Sequence, residues 1–125
     1  MKKLIAIVIA ATLSCLVWVA RAEEIAGTGV GNRTCADFAK NYRNTATPII
    51  IENIFFSWAQ GFMAGWNVAL SDVQKELTVD LSALKTDEQK KYLRDFCDKH
   101  PLKNYMDGVM GLMSQIKVLN AKKSH

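Results

Sequence analysis

The chain has 125 residues, half of them apolar and 22% charged, with a formal net charge of +4 at neutral pH. Such a composition excludes a disordered polymer and bounds the chain to one globular domain. The excess of positive charge sits mostly at the start, which removes the main support for a nucleic-acid-binding role.

Lys2 and Lys3 precede an uncharged, largely apolar run over residues 4–19, and the small-x-small sequence Ala20-Arg21-Ala22 follows it. This is the pattern of a secretory signal peptide, and we expect residues 1–22 to be removed after Ala22. The rival reading is a retained membrane anchor, because the run approaches the lower spanning limit of ~17 residues. The abrupt change to Ala-Arg-Ala-Glu-Glu favours cleavage. A lipid anchor on Cys15 is disfavoured, since Thr12-Leu13-Ser14 lacks a leucine three residues ahead of the cysteine. Cleavage leaves 103 residues with 13 basic and 12 acidic side chains, no basic stripe and no membrane segment. It also leaves two cysteines, Cys35 and Cys97, in an oxidising compartment.

Residues 23–33, with Gly27, Gly29 and Gly31, show no hydrophobic period and read as a flexible N-terminal segment. Asn32-Arg33-Thr34 fits an N-glycosylation pattern, but Thr34 as a helix cap with Asp37 in the first turn explains the same residues. A first helix over residues 35–43 then places Cys35, Phe38, Ala39 and Tyr42 on one face. It is too short to be stable without packing or a covalent tie.

Thr47 and Pro48 mark the start of a long central helix, expected over residues 48–77. Its centre holds Phe55, Phe56, Trp58, Phe62 and Trp66. Ile54, Trp58, Phe62 and Trp66 recur every four residues as a ridge that should fill the core, and Ser57, Gly61, Gly65 and Ala69 form a second ridge that should admit a neighbouring backbone. Glu52 is placed in the first turn, where the helix dipole accounts for it. After a connecting segment, Thr86-Asp87-Glu88-Gln89 fits a capping box that opens a third helix, with Tyr92, Leu93, Phe96 and Cys97 inward. Pro101 ends it. A last helix over residues 102–119 carries Leu102, Tyr105, Met106, Val109, Met113 and Ile116 at helical spacing, with Gly108 and Gly111 permitting close approach. The helical domain is thus bounded at 34–120, with 121–125 as a disordered tail. The fold class is all-α, a small four-helix domain around one long central helix.

A Cys35–Cys97 bond would staple the first and third helices across the central one and stabilise the domain by about 4 kcal/mol. The competing reading of Cys97-Asp98-Lys99-His100 is a Cys-x-x-His metal pair. Only Cys35 and His125 could add sulfur or nitrogen ligands, so no metal site is expected. Two histidines, one beside Pro101 and one at the terminus, support no catalytic triad, and no phosphate-binding glycine loop is present. We therefore expect no enzyme and no cofactor. Trp58, Phe62, Met63, Trp66, Met106, Met110 and Met113 are either core or the lining of a protein-binding groove. Trp58, Phe62, Trp66 and Met63 are the candidate partner-binding residues, since a bundle this small leaves apolar area for a partner protein or a second copy of the chain.

Cys35-Ala36-Asp37-Phe38, followed by Phe96-Cys97-Asp98-Lys99-His100-Pro101-Leu102-Lys103-Asn104-Tyr105-Met106-Asp107-Gly108-Val109, resembles the HdeA/HdeB family of periplasmic acid-stress chaperones. The resemblance implies that Cys35 and Cys97 are the family's disulfide pair, that Phe38, Tyr105 and Val109 are core positions, and that the partners are unfolded proteins. The central helix departs from the family in its length and its glycines. Trp58-Ala59-Gln60-Gly61-Phe62-Met63-Ala64-Gly65, with the later Cys-x-x-His-Pro, is similar instead to the Rap/Tai immunity proteins, which neutralise secreted toxins in the periplasm. Both resemblances imply a periplasmic, non-catalytic helical protein. An acid-stress role also has a charge argument: below about pH 4 the 12 carboxylates neutralise, leaving about 15 positive side chains to repel one another.

Overall fold

The structure is a computed structural model that describes residues 29–123. The expected signal peptide, residues 23–28 and residues 124–125 lie outside the described residues. Among those described, four α-helices and three short 3-10 turns make an all-α domain. We number the helices α1 (Cys35–Arg43), α2 (Pro48–Leu70), α3 (Thr86–Lys99) and α4 (Tyr105–Lys123); the turns are Val30–Asn32, Lys75–Leu77 and Leu81–Ala83.

α1 starts as its sequence requires: Thr34 Oγ1 accepts a hydrogen bond from the Asp37 N–H at 3.1 Å. Its first two N–H groups donate outward, from Cys35 to the Lys103 carbonyl (2.7 Å) and from Ala36 to the Pro101 carbonyl (3.0 Å). Those bonds hold residues 101–104 out of helical geometry. α4 consequently begins at Tyr105, three residues later than expected, and Leu102 is 94% exposed rather than inward. At its other end α4 continues through Lys123, into the segment expected to be a disordered tail.

α2 begins at Pro48 as expected, although Thr47 makes no side-chain capping bond. It stops at Leu70, seven residues short of the expected end. Asn67 is the physical reason: its amide donates to the Val79 carbonyl (2.8 Å) and its carbonyl accepts from the Val79 N–H (3.0 Å). This two-bond clip folds the chain back and delivers Val79 to the core at 5% exposure. α3 also shifts its cap by one residue. Glu88, not Gln89, accepts from the N–H of Lys85, while Gln89 is buried and its amide donates to the carbonyls of Leu81 (2.9 Å) and Leu84 (2.7 Å). A buried amide must find partners, and the preceding turn supplies both.

The core lies between α1, α3, α4 and one face of α2. Phe38, Phe55 and Tyr105 pack ring to ring at 4.9–5.1 Å, and Phe56, Ala59, Met63, Leu93, Val109, Leu112 and Ile116 extend the cluster. Burial, reinforced by the nearby Glu52 carboxylate, pushes the Tyr105 hydroxyl far above its ordinary pKa, so it stays neutral. Cys35 and Cys97 are bonded, with Cα atoms 4.6 Å apart, and join α1 to α3. Gly108 allows close approach as expected: a Cβ there would stand 2.9 Å from the Phe96 ring.

Glu52 corrects the sequence reading. It lies past the first turn of α2, 8% exposed, and its carboxylate pairs with Arg94 of α3. Arg94→Met would leave that carboxylate in an apolar setting without its charge-assisted bonds. We expect a loss of about 2 kcal/mol in urea unfolding, largely restored by adding Glu52→Gln.

Candidate partner-binding surface

α2 is apolar nearly all round, so its period alone does not say which face is inward. The inward ridge is Phe55, Phe56, Ala59 and Met63. Met63 is wholly buried, which corrects its assignment as a partner-binding residue. Ile54, expected in the core, is 51% exposed. Trp58, Phe62 and Trp66 occupy the flank between these faces, where no single helix covers them.

There the three rings form a continuous ladder. Trp58 stacks on Phe62 at 5.5 Å and 15°, and Phe62 meets Trp66 at 6.3 Å and 38°. Trp58 and Phe62 are half-buried, and Trp66 is 37% exposed. The cover at the Trp58 end comes from residues expected to be merely flexible. Gly29, at φ 88°, turns the chain across the indole, and Gly31 is buried beneath it; a Cβ on Gly31 would stand 2.1 Å from the Trp58 ring. Only glycine fits there. At the other end Trp66 meets Met110 and Met113, with Leu77, Val79 and Lys117, around an open cleft of about 140 Å³. Of these two methionines Met113 is buried in the core at 5% exposure and Met110 is 38% exposed. A larger open cleft of about 610 Å³ lies on the far flank of α2 beside Gln60, Ala64, Leu81, Leu84, Lys85 and Thr86.

The expected small-residue ridge does not admit a neighbouring backbone. Gly61 and Gly65 have no atom within 4 Å of where a Cβ would stand, so this face of α2 opens to solvent. Ile49 (69%), Ile50 (55%) and Val68 (75%) are exposed with it. Glu52 is the only ionisable residue between Pro48 and Leu70, and it points inward, so the outward face carries no charge.

The Leu81–Ala83 turn is held by an ionised side chain. The Asp80 carboxylate accepts from the Ser82 hydroxyl (2.6 Å) and N–H (3.0 Å). These bonds, with a smaller contribution from Lys123, lower its pKa below the ordinary 3.8; the Lys91 ammonium, at 2.6 Å, lowers that of Asp95. A lowered folded-state pKa means stabilisation that is complete above about pH 3.8 and is lost as pH falls through the lower folded value. The thermal midpoint should therefore decline between pH 4 and pH 2. Asp80→Asn and Asp95→Asn should each shrink that decline, as melting curves across the range would show.

The disulfide takes up Cys97, the one sulfur of the considered Cys-x-x-His pair, together with Cys35, and the His100 ring packs against Phe96 at 4.7 Å. Among the described residues no cluster of three His, Cys, Asp or Glu could hold a metal, and no helix is long and apolar enough to cross a membrane. No family model matches the chain, and neither curated proteins nor solved structures give a match.

Proposed function

We propose that this is an exported, non-catalytic periplasmic protein that binds unfolded polypeptides under acid stress, in the manner of the HdeA/HdeB family it resembles. One observation carries the reading. The Trp58, Phe62 and Trp66 ladder is half-covered by short segments, the Val30–Asn32 turn and the Lys75–Leu77 turn, and the Cys35–Cys97 bond ties neither of them down. Charge repulsion in acid would loosen those segments first, while the stapled helices keep the chain from opening fully. The ladder would then offer broad apolar contact without sequence preference.

The test is protection of several unrelated proteins from aggregation at pH 2–3 and at pH 7, read beside tryptophan fluorescence. We expect protection only in acid, with a fluorescence change, and loss of protection in a folded Trp58→Ala, Phe62→Ala, Trp66→Ala variant. Protection that is absent at every pH, or undiminished in the variant, would overturn the reading. A second reading, a Rap/Tai-like immunity protein binding one toxin, is favoured by the uncharged outward face of α2, which is open without any acid step. Tight binding of a single secreted toxin at neutral pH would support it.

A further inference from the structure

Four methionines follow the expected signal peptide, and the fold treats them unequally. Met63 and Met113 are buried and Met106 is half-buried, whereas Met110 opens to solvent. The Met110 thioether lines the cleft of about 140 Å³ that it shares with the Trp66 ring and Lys117. We propose that Met110 is an oxidation site: a peroxide entering this cleft converts the thioether to its sulfoxide, which Lys117 then holds away from the Trp66 ring.

The cleft has room for several molecules the size of water or peroxide, so the oxidant reaches sulfur without any opening of the fold. A sulfur lone pair attacks one peroxide oxygen, and the S–O bond forms as the O–O bond breaks. The departing hydroxide takes the proton of the transferred hydroxyl and leaves as water. The thioether gives up two electrons, the peroxide gains them, and the product is the sulfoxide. The buried thioethers of Met63 and Met113 would need local unfolding before the same step.

Lys117 makes this cleft different from any exposed thioether. It lies seven residues after Met110 on the same face of α4, and helical side chains lean toward the N-terminus, which carries its ammonium back over the cleft. Among the described residues that ammonium makes no ion pair or hydrogen bond. The other polar group of the cleft, the Ser114 hydroxyl, already donates to the Met110 carbonyl at 3.0 Å. Lys117 is therefore the donor for the departing hydroxide and then for the sulfoxide oxygen, a charge-assisted bond. Leu77, Val79 and Trp66 offer a sulfoxide nothing, and a polar group left against them is disfavoured. The oxidised side chain turns to Lys117 and water, which uncovers the outer ring of the ladder at neutral pH. This holds whichever partner the ladder receives.

The test treats the purified, disulfide-bonded protein with hydrogen peroxide at pH 7 and follows it by peptide mass mapping and tryptophan fluorescence. Met110 should gain one oxygen first, about tenfold or more faster than Met63 and Met113. Tryptophan emission should move to longer wavelength in step with that gain, while the helical circular dichroism stands. Met110→Leu should abolish the emission change. Lys117 is exposed, so Lys117→Leu should leave the fold intact yet slow Met110 oxidation by about threefold or more, and Lys117→Arg should restore the rate. Oxidation of Met106 or of the Trp66 ring ahead of Met110 would overturn the proposal. So would an emission change that persists in Met110→Leu, or a Met110 rate that Lys117→Leu leaves unchanged.

Discussion

Replacing Cys35 and Cys97 together by alanine is expected to lower the unfolding free energy by about 4 kcal/mol. The bond closes a separation of 62 residues, and the cost is the freedom returned to the unfolded chain. Against a usual total of about 5–15 kcal/mol for a domain, the loss is large enough to populate unfolded protein near physiological temperature. Both sulfurs are buried, at 0% and 1% exposure, so the variant also loses close packing between α1 and α3. The effect should be local first. α1 has nine residues and, beyond the disulfide, is held by the Phe38 ring, two backbone bonds to residues 101–103 and the exposed ion pair of Arg43 with Asp98 of α3. Hydrogen exchange should show α1 amides losing protection before those of α4. Urea unfolding gives the total, and a loss under about 1 kcal/mol would mean that packing alone holds α1 in place.

Phe38→Ala should cost about 3–5 kcal/mol, the range for removing a buried aromatic ring. Phe38 is 2% exposed, touches the rings of Phe55 and Tyr105, and is the main apolar anchor by which α1 grips the other helices. Phe38→Leu keeps most of the volume and should cost markedly less. The rings form one cluster, so the near-ultraviolet dichroism of Tyr105 should weaken with the same substitution. Combining Phe38→Ala with loss of the disulfide should cost less than the two separate losses added, because both act by releasing α1. Simple additivity in denaturant titrations would show that the ring and the bond stabilise independent parts of the domain.

Much of this architecture is legible in local chemistry. A hydroxyl before a short amphipathic run marked the start of α1, a proline marked the start of α2, and two cysteines remaining after the expected cleavage paired as the count implied. Each depends on neighbours in the chain or on redox chemistry, which a sequence states directly. The glycine at 108 was readable for a similar reason, since a helix tolerates it only where something packs close.

The face of α2 was not readable in this way. Helical period groups residues into ridges, but a helix without surface charge has no polar stripe to say which ridge turns outward. Packing chose Phe55, Phe56, Ala59 and Met63 for the core, left the Trp58, Phe62 and Trp66 ladder on the flank, and turned Gly61 and Gly65 to solvent. The ends of helices shifted for a related reason. Asn67 stops α2 by binding Val79, Gln89 leaves the cap of α3 to hold the turn before it, and the carbonyls of Pro101 and Lys103 delay α4 because they serve the N–H groups of α1. Local rules named the elements, their order and their covalent tie; long-range hydrogen bonds and the shape of the core set where each element stops and which side chains a partner can reach.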